Sequence, residues 1–184
     1  GLAVAVAYHC GLFNIGAEGQ AIMGGLGAGL VALALGPAAP AWLVLPAMVL
    51  AAVAFGVLWA AIPGALQAWR GSHIVITTIM FNFIASSLLI YLLVGVLKEP
   101  GNMSPETRAF GPAAQMPGMH MVLAALGIKW PRSPLDASVL LAIAALIGVQ
   151  LLLWRTQLGY ALRAVGNSPQ AALYAGIEPK SLIV

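Results

Sequence analysis

The sequence predicts an all-α protein, a polytopic transmembrane helix bundle with a broken helix near its N-terminal end. Three observations carry this. Hydrophobic residues make up 61% of the chain and charged residues 7%, with mean hydropathy +0.98, whereas soluble domains are about one quarter charged. Uncharged apolar runs long enough for a bilayer core, which needs about 20 residues, alternate with short punctuated loops. Finally, Gly11-Leu12-Phe13-Asn14-Ile15-Gly16-Ala17-Glu18-Gly19-Gln20 sets three glycines, two amides and a carboxylate between apolar stretches. Glycine loses the most conformational freedom on folding, so this stretch is poor helix material. Irregular backbone survives in hydrocarbon only where protein or a water-filled cavity supplies partners. Glu18 is costly at membrane depth for the same reason and is expected to face an interior.

The totals bound the function classes. A net charge of +3 from so few charged residues argues for no nucleic-acid partner. The single cysteine, Cys10, excludes a disulfide within the chain. The chain begins at Gly1 and stops as a new apolar segment starts at Ile183-Val184, which reads as a window cut from a longer protein.

Gly1 to Ala7 reads as the tail of a helix. After Gln20 a short glycine-rich helix follows, with Gly25 and Gly29 on one face for close backbone approach and Glu18 near its positive end. Gly36-Pro37 closes it. Ala41 to Ile62 is the next span, with Trp42 and Trp59 at its two ends as interfacial aromatics and Pro63-Gly64 as its stop. Ile74 to Leu97 carries Thr78, Asn82 and Ser86 every four residues, one polar stripe on a single face. Lys98 to Asp136 holds six prolines and seven charges, an extramembrane loop in which His120 to Ile128 is apolar but too short to cross. Ala137 to Trp154 is the last full span.

The end is polar. Thr156 to Val165 forms a helix with Leu158, Ala161, Leu162 and Val165 on one face, stopped by Gly166-Asn167. Ser168 is then an N-cap, Pro169 the first helical residue and Gly176 the terminating glycine. This predicts a short isolated helix, Pro169 to Ala175, outside the membrane. Helices that short are marginal in water, so a partner protein is expected to hold it. Lys and Arg are balanced: Arg70, Arg155, Arg163 and Lys180 on one side, Lys98, Arg108, Lys129 and Arg132 on the other. Short loops weigh more in setting orientation, which places Arg70 and the C-terminal end in the cytoplasm.

GLFNIGAEGQ (Gly11 to Gln20) resembles the signature of permease subunits of bacterial nucleoside and simple-sugar ABC importers, in the branched-chain amino acid/ribose-type permease superfamily. TQLGYALRAVGNSPQAALYAGI (Thr156 to Ile177) resembles the same family's cytoplasmic segment. Its Gln170-Ala171-Ala172, followed by Gly176, is similar to the EAA-type loop that engages an ATPase, with Gln170 where that loop carries glutamate. GSHIVITTIMFNFIA (Gly71 to Ala85) is also similar. The resemblance implies one partial transmembrane permease domain over 1–184, with an extracytoplasmic loop at 98–136 and a cytoplasmic coupling segment at 155–180. It implies a multi-pass protein of the bacterial cytoplasmic (inner) membrane, moving nucleosides or related sugar-containing solutes. The implied partners are an ATP-binding cassette ATPase subunit, a second permease subunit, an extracytoplasmic solute-binding protein and the lipid bilayer. ATP is then used by the partner; the chain itself is expected to bind no cofactor or metal and to catalyse no bond chemistry. The residues implied in ATPase coupling are Arg163, Gly166, Pro169, Gln170, Ala171, Ala172 and Gly176.

Two readings stand at each intramembrane site. Asn14, Glu18 and Gln20 can bind sugar hydroxyls or base edges along a path, or can cap and rigidify the broken helix. Thr78, Asn82 and Ser86 can line the same path or join helices, at about 0.6 kcal/mol per hydrogen bond. Phe81 can stack a base or pack. Met116, Met119, His120 and Met121 offer soft ligands, but Pro117-Gly118 breaks their spacing and methionine is common filler. A secondary transporter coupled to H⁺ or Na⁺ through Glu18 is the alternative function, and a non-transporting scaffold a further one.

Overall fold

The computed structural model describes residues 1–36, 38–101 and 103–183, so Pro37, with which the sequence closes the second helix, lies outside the described residues. The elements run α1 (Leu2–His9), α2 (Ala17–Leu35), α3 (Ala41–Arg70), α4 (Ile74–Gly95), a 3₁₀ turn (Pro112–Ala114), α5 (Met119–Ala125), α6 (Ser138–Arg155), α7 (Gln157–Asn167), α8 (Pro169–Tyr174) and α9 (Pro179–Ile183). Among the described residues, α2, α3, α4 and α6 are long and apolar enough to cross a membrane, and the protein is a multi-pass all-α bundle. Helicity stops between His9 and Ala17, where the sequence places the break.

The central helix is α2, seated between α3 and α4. A Cβ on Gly24 would stand 3.1 Å from the Ala52 carbonyl oxygen, and one on Gly27 would stand 2.8 Å from the Ala51 carbonyl and the Phe55 ring. These contacts run backwards along α3 as α2 advances, so the two helices are antiparallel. The expected pair was Gly25 and Gly29, and the structure corrects it. Gly25 has nothing within 4 Å and Gly29 meets only the Phe110 ring tip at 3.7 Å. Neighbouring helical residues are about 100° apart around the axis, so one position decides which glycines face a backbone.

Helix α3 also departs from expectation. It runs through both Pro46 and Pro63 for 30 residues, about 45 Å at 1.5 Å per residue. Proline is tolerated inside spans where neighbours re-satisfy the freed groups. The helix ends instead at Gly71, left-handed at φ 65°, with the Gly71 amide donating to the Gln67 carbonyl (3.1 Å) and Ser72 to Leu66 (3.3 Å). Trp59 is therefore not a terminal aromatic. It packs edge-on against Phe81, centroids 5.3 Å apart, while Trp69 lies exposed at the true end.

Between α4 and α6 the proline-rich segment forms isolated bridges at Lys98–Thr107 and Gly118–Asp136. It is tied to the bundle by Arg108, whose Nη2 donates to the Leu33 carbonyl at 2.9 Å. A cation there complements the negative end of α2. Asp136 opens α6 by accepting from the Ser138 amide at 2.9 Å, and its hydrogen bonds to Ser138 lower its carboxyl below the usual range.

The α6–α7 joint turns on Thr156, whose hydroxyl donates to the Leu152 carbonyl (2.6 Å) and accepts from the Gly159 amide (3.0 Å). Helix α7 continues through Gly166 to Asn167, so the pair expected to stop it after Val165 is helical instead. Helix α8 has the expected caps. Ser168 Oγ accepts from the Ala171 amide at 3.3 Å, Pro169 stands first, and Gly176 is left-handed at φ 78°. The Ile177 amide bonds back to the Ala172 carbonyl (2.9 Å) and Gly176 to Leu173 (3.0 Å), the paired bonds of a Schellman ending. The helix is not isolated. Ala172 packs into a core with Cys10, Leu153, Leu162 and Val165, so the chain itself supplies the first support for α8.

The glycine assignments make a stability prediction. Gly27→Val should destabilise the detergent-solubilised protein by about 1–3 kcal/mol through overpacking. Gly25→Ala should be neutral or gain up to about 1 kcal/mol from helix propensity. Thermal unfolding followed by loss of the monodisperse peak checks both, and equal effects at the two positions would contradict the packing described.

Candidate functional site

The polar residues of the break gather around one side chain from α4. Asn82 Oδ1 accepts from the Gly19 amide at 2.9 Å, and Asn82 Nδ2 donates to the Ile15 carbonyl at 3.0 Å. Gly19 is in the first turn of α2, where amides have no intrahelical partner. Ile15 lies in the non-helical link. A single amide side chain thus satisfies a donor and an acceptor that the broken helix leaves open. Gly19 must be glycine for this, since a Cβ would stand 2.8 Å from Asn82 Oδ1 and 3.0 Å from Trp59 Nε1.

The neighbours complete the seat. Asn14 Oδ1 accepts from the Gly16 amide at 2.9 Å, and Asn14 Nδ2 reaches Gln20 Oε1 at a long 3.5 Å. Thr78 is 2% exposed. Its hydroxyl donates to the Ile74 carbonyl of its own helix at 2.8 Å, leaving its carbon side against Gly16, where a Cβ would stand 3.1 Å away. Asn14, Gln20, Thr78 and Asn82 are therefore brought together. Phe81 stands to one side, half-buried on Trp59. Ser86 is half-buried one turn further on, beside Ala85, which packs on Met23 and Leu26. Glu18 is placed apart: it lies in the first turn of α2 but exposed, while Gly19, next in sequence, is buried.

The second group lies where α1, α6, α7 and α8 meet. Arg163 stacks over the Trp154 ring, Cζ 4.3 Å from its centroid, and its Nε donates to the Gly159 carbonyl at 3.3 Å. His9 meets the same indole edge-on at 6.1 Å. Gly166 lies against the end of α1, where a Cβ would collide with the His9 carbonyl. A cleft of about 550 Å³ opens beside this contact, lined by Tyr8, Phe13, Trp154, Arg163 and Asn167 among others. On α8, Pro169, Gln170, Ala171, Leu173 and Tyr174 are exposed, Tyr174 at 95%. Ala172 is 2% exposed and faces the chain's own core. The slim outward face expected of Ala171 and Ala172 therefore belongs to Ala171 alone, and the outward side chains are Gln170, Leu173 and Tyr174.

The sequence reading did not place Trp59, Gly19, Gly159, Gly11 or Cys10 among the site residues, although Gly11 and Gly19 lie in the stretch it singled out. The signal for Gly159 was a glycine inside an amphipathic helix directly after a span; a Cβ there would collide with the Leu152 and Leu153 carbonyls. Trp59 carried no such signal.

The family model described as branched-chain amino acid transport system / permease component matches residues 1–184. A glucose ABC transporter permease protein of Haloferax volcanii is 37% identical over 179 residues, covering 97% of this chain and 46% of the relative. A nucleoside ABC transporter permease protein of Lactococcus lactis subsp. cremoris is 32% identical over 186 residues, covering 100% and 50%. A guanosine ABC transporter permease protein of Bacillus subtilis is 33% identical over 184 residues, again covering 100% and 50%. The chain spans about half the length of these curated relatives. No solved structure matches it significantly.

Asn82→Ala leaves the Gly19 amide and the Ile15 carbonyl without their partner, at about 1–3 kcal/mol for each buried group left unsatisfied. Cys10, 6% exposed at the near end of the link, reports the loosening. With any cysteine outside residues 1–184 replaced, Cys10 should react with a maleimide at least several-fold faster in Asn82→Ala than in wild type. An unchanged rate would show that Asn82 does not hold the link.

Proposed function

Because the chain belongs to the branched-chain amino acid transport permease family, we propose that it forms part of the transmembrane permease subunit of an ATP-driven importer for nucleosides or related sugar-containing solutes. The family match along the whole chain carries this reading, and the names of its relatives supply the solute classes. Geometry supports it at α8. A capped helix of six residues presents Gln170, Leu173 and Tyr174 outward and seats Ala172 in the core that contains Cys10. A tyrosine so exposed on so short a helix, Tyr174, suits a partner's groove.

In this reading residues 155–180 face the cytoplasm and receive the ATP-binding cassette ATPase, while residues 98–136 face the solute-binding protein outside. A second permease subunit completes the path, and the assembly sits in a bacterial cytoplasmic membrane. ATP is bound and hydrolysed by the partner, and this chain supplies positioning and movement. Glu18, exposed in the first turn of α2, is assigned to the solute path in this reading, since a carboxylate on a lipid-facing surface is costly. The ion-coupled alternative through Glu18 finds no support in the family match.

Full-length permease reconstituted with its ATPase and binding protein tests the reading. Uptake of labelled nucleoside or glucose should require ATP and ignore a protonophore; ATP-independent, protonophore-sensitive uptake would overturn it. Tyr174→Ala should lower ATPase co-purification about tenfold, as loss of an interfacial aromatic anchor does. Glu18→Gln should reduce uptake with membrane insertion and ATPase binding intact.

A further inference from the structure

The link between α1 and α2 is held at both ends, by different devices. At its far end Asn82 bonds the Ile15 carbonyl and the Gly19 amide. At its near end Gly11 lies directly on Gly166 of α7. A Cβ on Gly11 would stand 3.4 Å from Gly166 Cα, and one on Gly166 would stand 3.0 Å from the Gly11 amide nitrogen and collide with the His9 carbonyl. Two backbones touch here with no side chain between them. Gly11 cannot readily be another residue, because at φ 75° it ends α1. The Leu12 amide bonds back to the Ala7 carbonyl and Gly11 to Tyr8, both at 3.0 Å.

The surroundings connect this contact to α8. Cys10 shares one buried core with Leu162 and Val165 of α7, Leu153 of α6 and Ala172 of α8. On the other side Arg163 and His9 bracket the Trp154 indole. The contact itself is exposed and lies at the rim of the cleft, but Cys10 before Gly11 and Val165 before Gly166 are buried together in that core. A side-chain contact can absorb a displacement by changing rotamer, whereas a backbone contact anchored in this way has no rotamer to change. Displacing α8 therefore displaces Gly166, and with it Gly11 and the link that Asn82 ties to α4.

We propose that the Gly11–Gly166 backbone contact is the transmission point through which the α7–α8 unit moves the α1–α2 link. The proposal rests on the transport reading above and adds to it the residues that carry motion inward from the ATPase dock. In this role Gly166 and Gly11 act as positioning residues, through the backbone contact between them.

The test uses the full-length permease with its ATPase and binding protein in proteoliposomes. Spin labels are placed at two exposed positions, by Phe13→Cys in the link and Ala175→Cys at the end of α8, with buried Cys10 left in place. In wild type both labels should change mobility when ATP binds. In Gly166→Ala the label at 175 should still respond, the label at 13 should not, and solute moved per ATP hydrolysed should fall at least tenfold. ATPase co-purification should stay within twofold of wild type. Gly11→Asn enters the same contact from the other side with a residue that accepts positive φ more readily than most. It should give the same split, and it decides the matter if Gly166→Ala fails to assemble. A label at 13 that responds normally in these variants, or an unchanged transport-to-hydrolysis ratio, would overturn the inference and leave the transport reading standing. Absence of ATP-dependent uptake in wild type would overturn both.

Discussion

An interrupted helix inside a bilayer exposes backbone groups that hydrocarbon cannot satisfy, and the bond pair made by Asn82 answers that constraint here. Its carboxamide presents an acceptor oxygen and a donor nitrogen in one fixed plane. The structure spends them on the Gly19 amide and the Ile15 carbonyl, 63 and 67 residues away in sequence. Most of the rest is arranged to permit this. Gly19 has no side chain because Asn82 and Trp59 occupy the space, Gly16 has none because Thr78 does, and Asn14 turns back on the Gly16 amide. Among the spans α2 is 39% buried and the others 6–11%. The helix that carries the break is thus also the one the bundle encloses.

Backbone proximity recurs at several of the joints between elements. Gly24 and Gly27 bring α2 onto α3, Gly159 brings α7 onto the end of α6, and Gly166 brings α7 onto α1. In a membrane, apolar side chains gain little by leaving lipid for protein, so close contact between small residues supplies much of the association. Three polar side chains are used on backbone: Asn82 on the link, Thr78 on its own helix's carbonyls, Thr156 across the α6–α7 joint.

Features written in local chemistry were legible in the sequence. The spans, the break at Gly11 to Gln20, the Ser168 cap and the Gly176 ending all depend on residues within a few positions of one another. What depended on rotation or on distant partners was not. Gly25 and Gly29, four apart on one face, read as the close-approach pair, and only the facing of α3 shows that Gly24 and Gly27 make the contact. Pro63 looked like a stop because proline costs a helix a hydrogen bond, and a bundle can supply the remedy. Trp59 looked interfacial because Pro63 seemed to end the span just after it. Asn82 was legible as a polar residue on a stripe, but nothing local named Ile15 and Gly19 as its partners. Ala172 was legible as part of the short helix, while the direction it faces depends on Cys10, Leu162 and Val165.

The inward turn of Ala172 changes how the short helix works. A helix of six residues cannot hold its own shape in water, and a partner alone could hold it only while bound. Seating Ala172 in the core with Cys10, Leu162 and Val165 holds the helix without a partner, so the proposed docking would lose less ordering entropy. The same seat ties the helix to the start of the link. In the proposed transport reading, pre-organisation and transmission would therefore come from one small core, with the side chains of Gln170, Leu173 and Tyr174 left outside it.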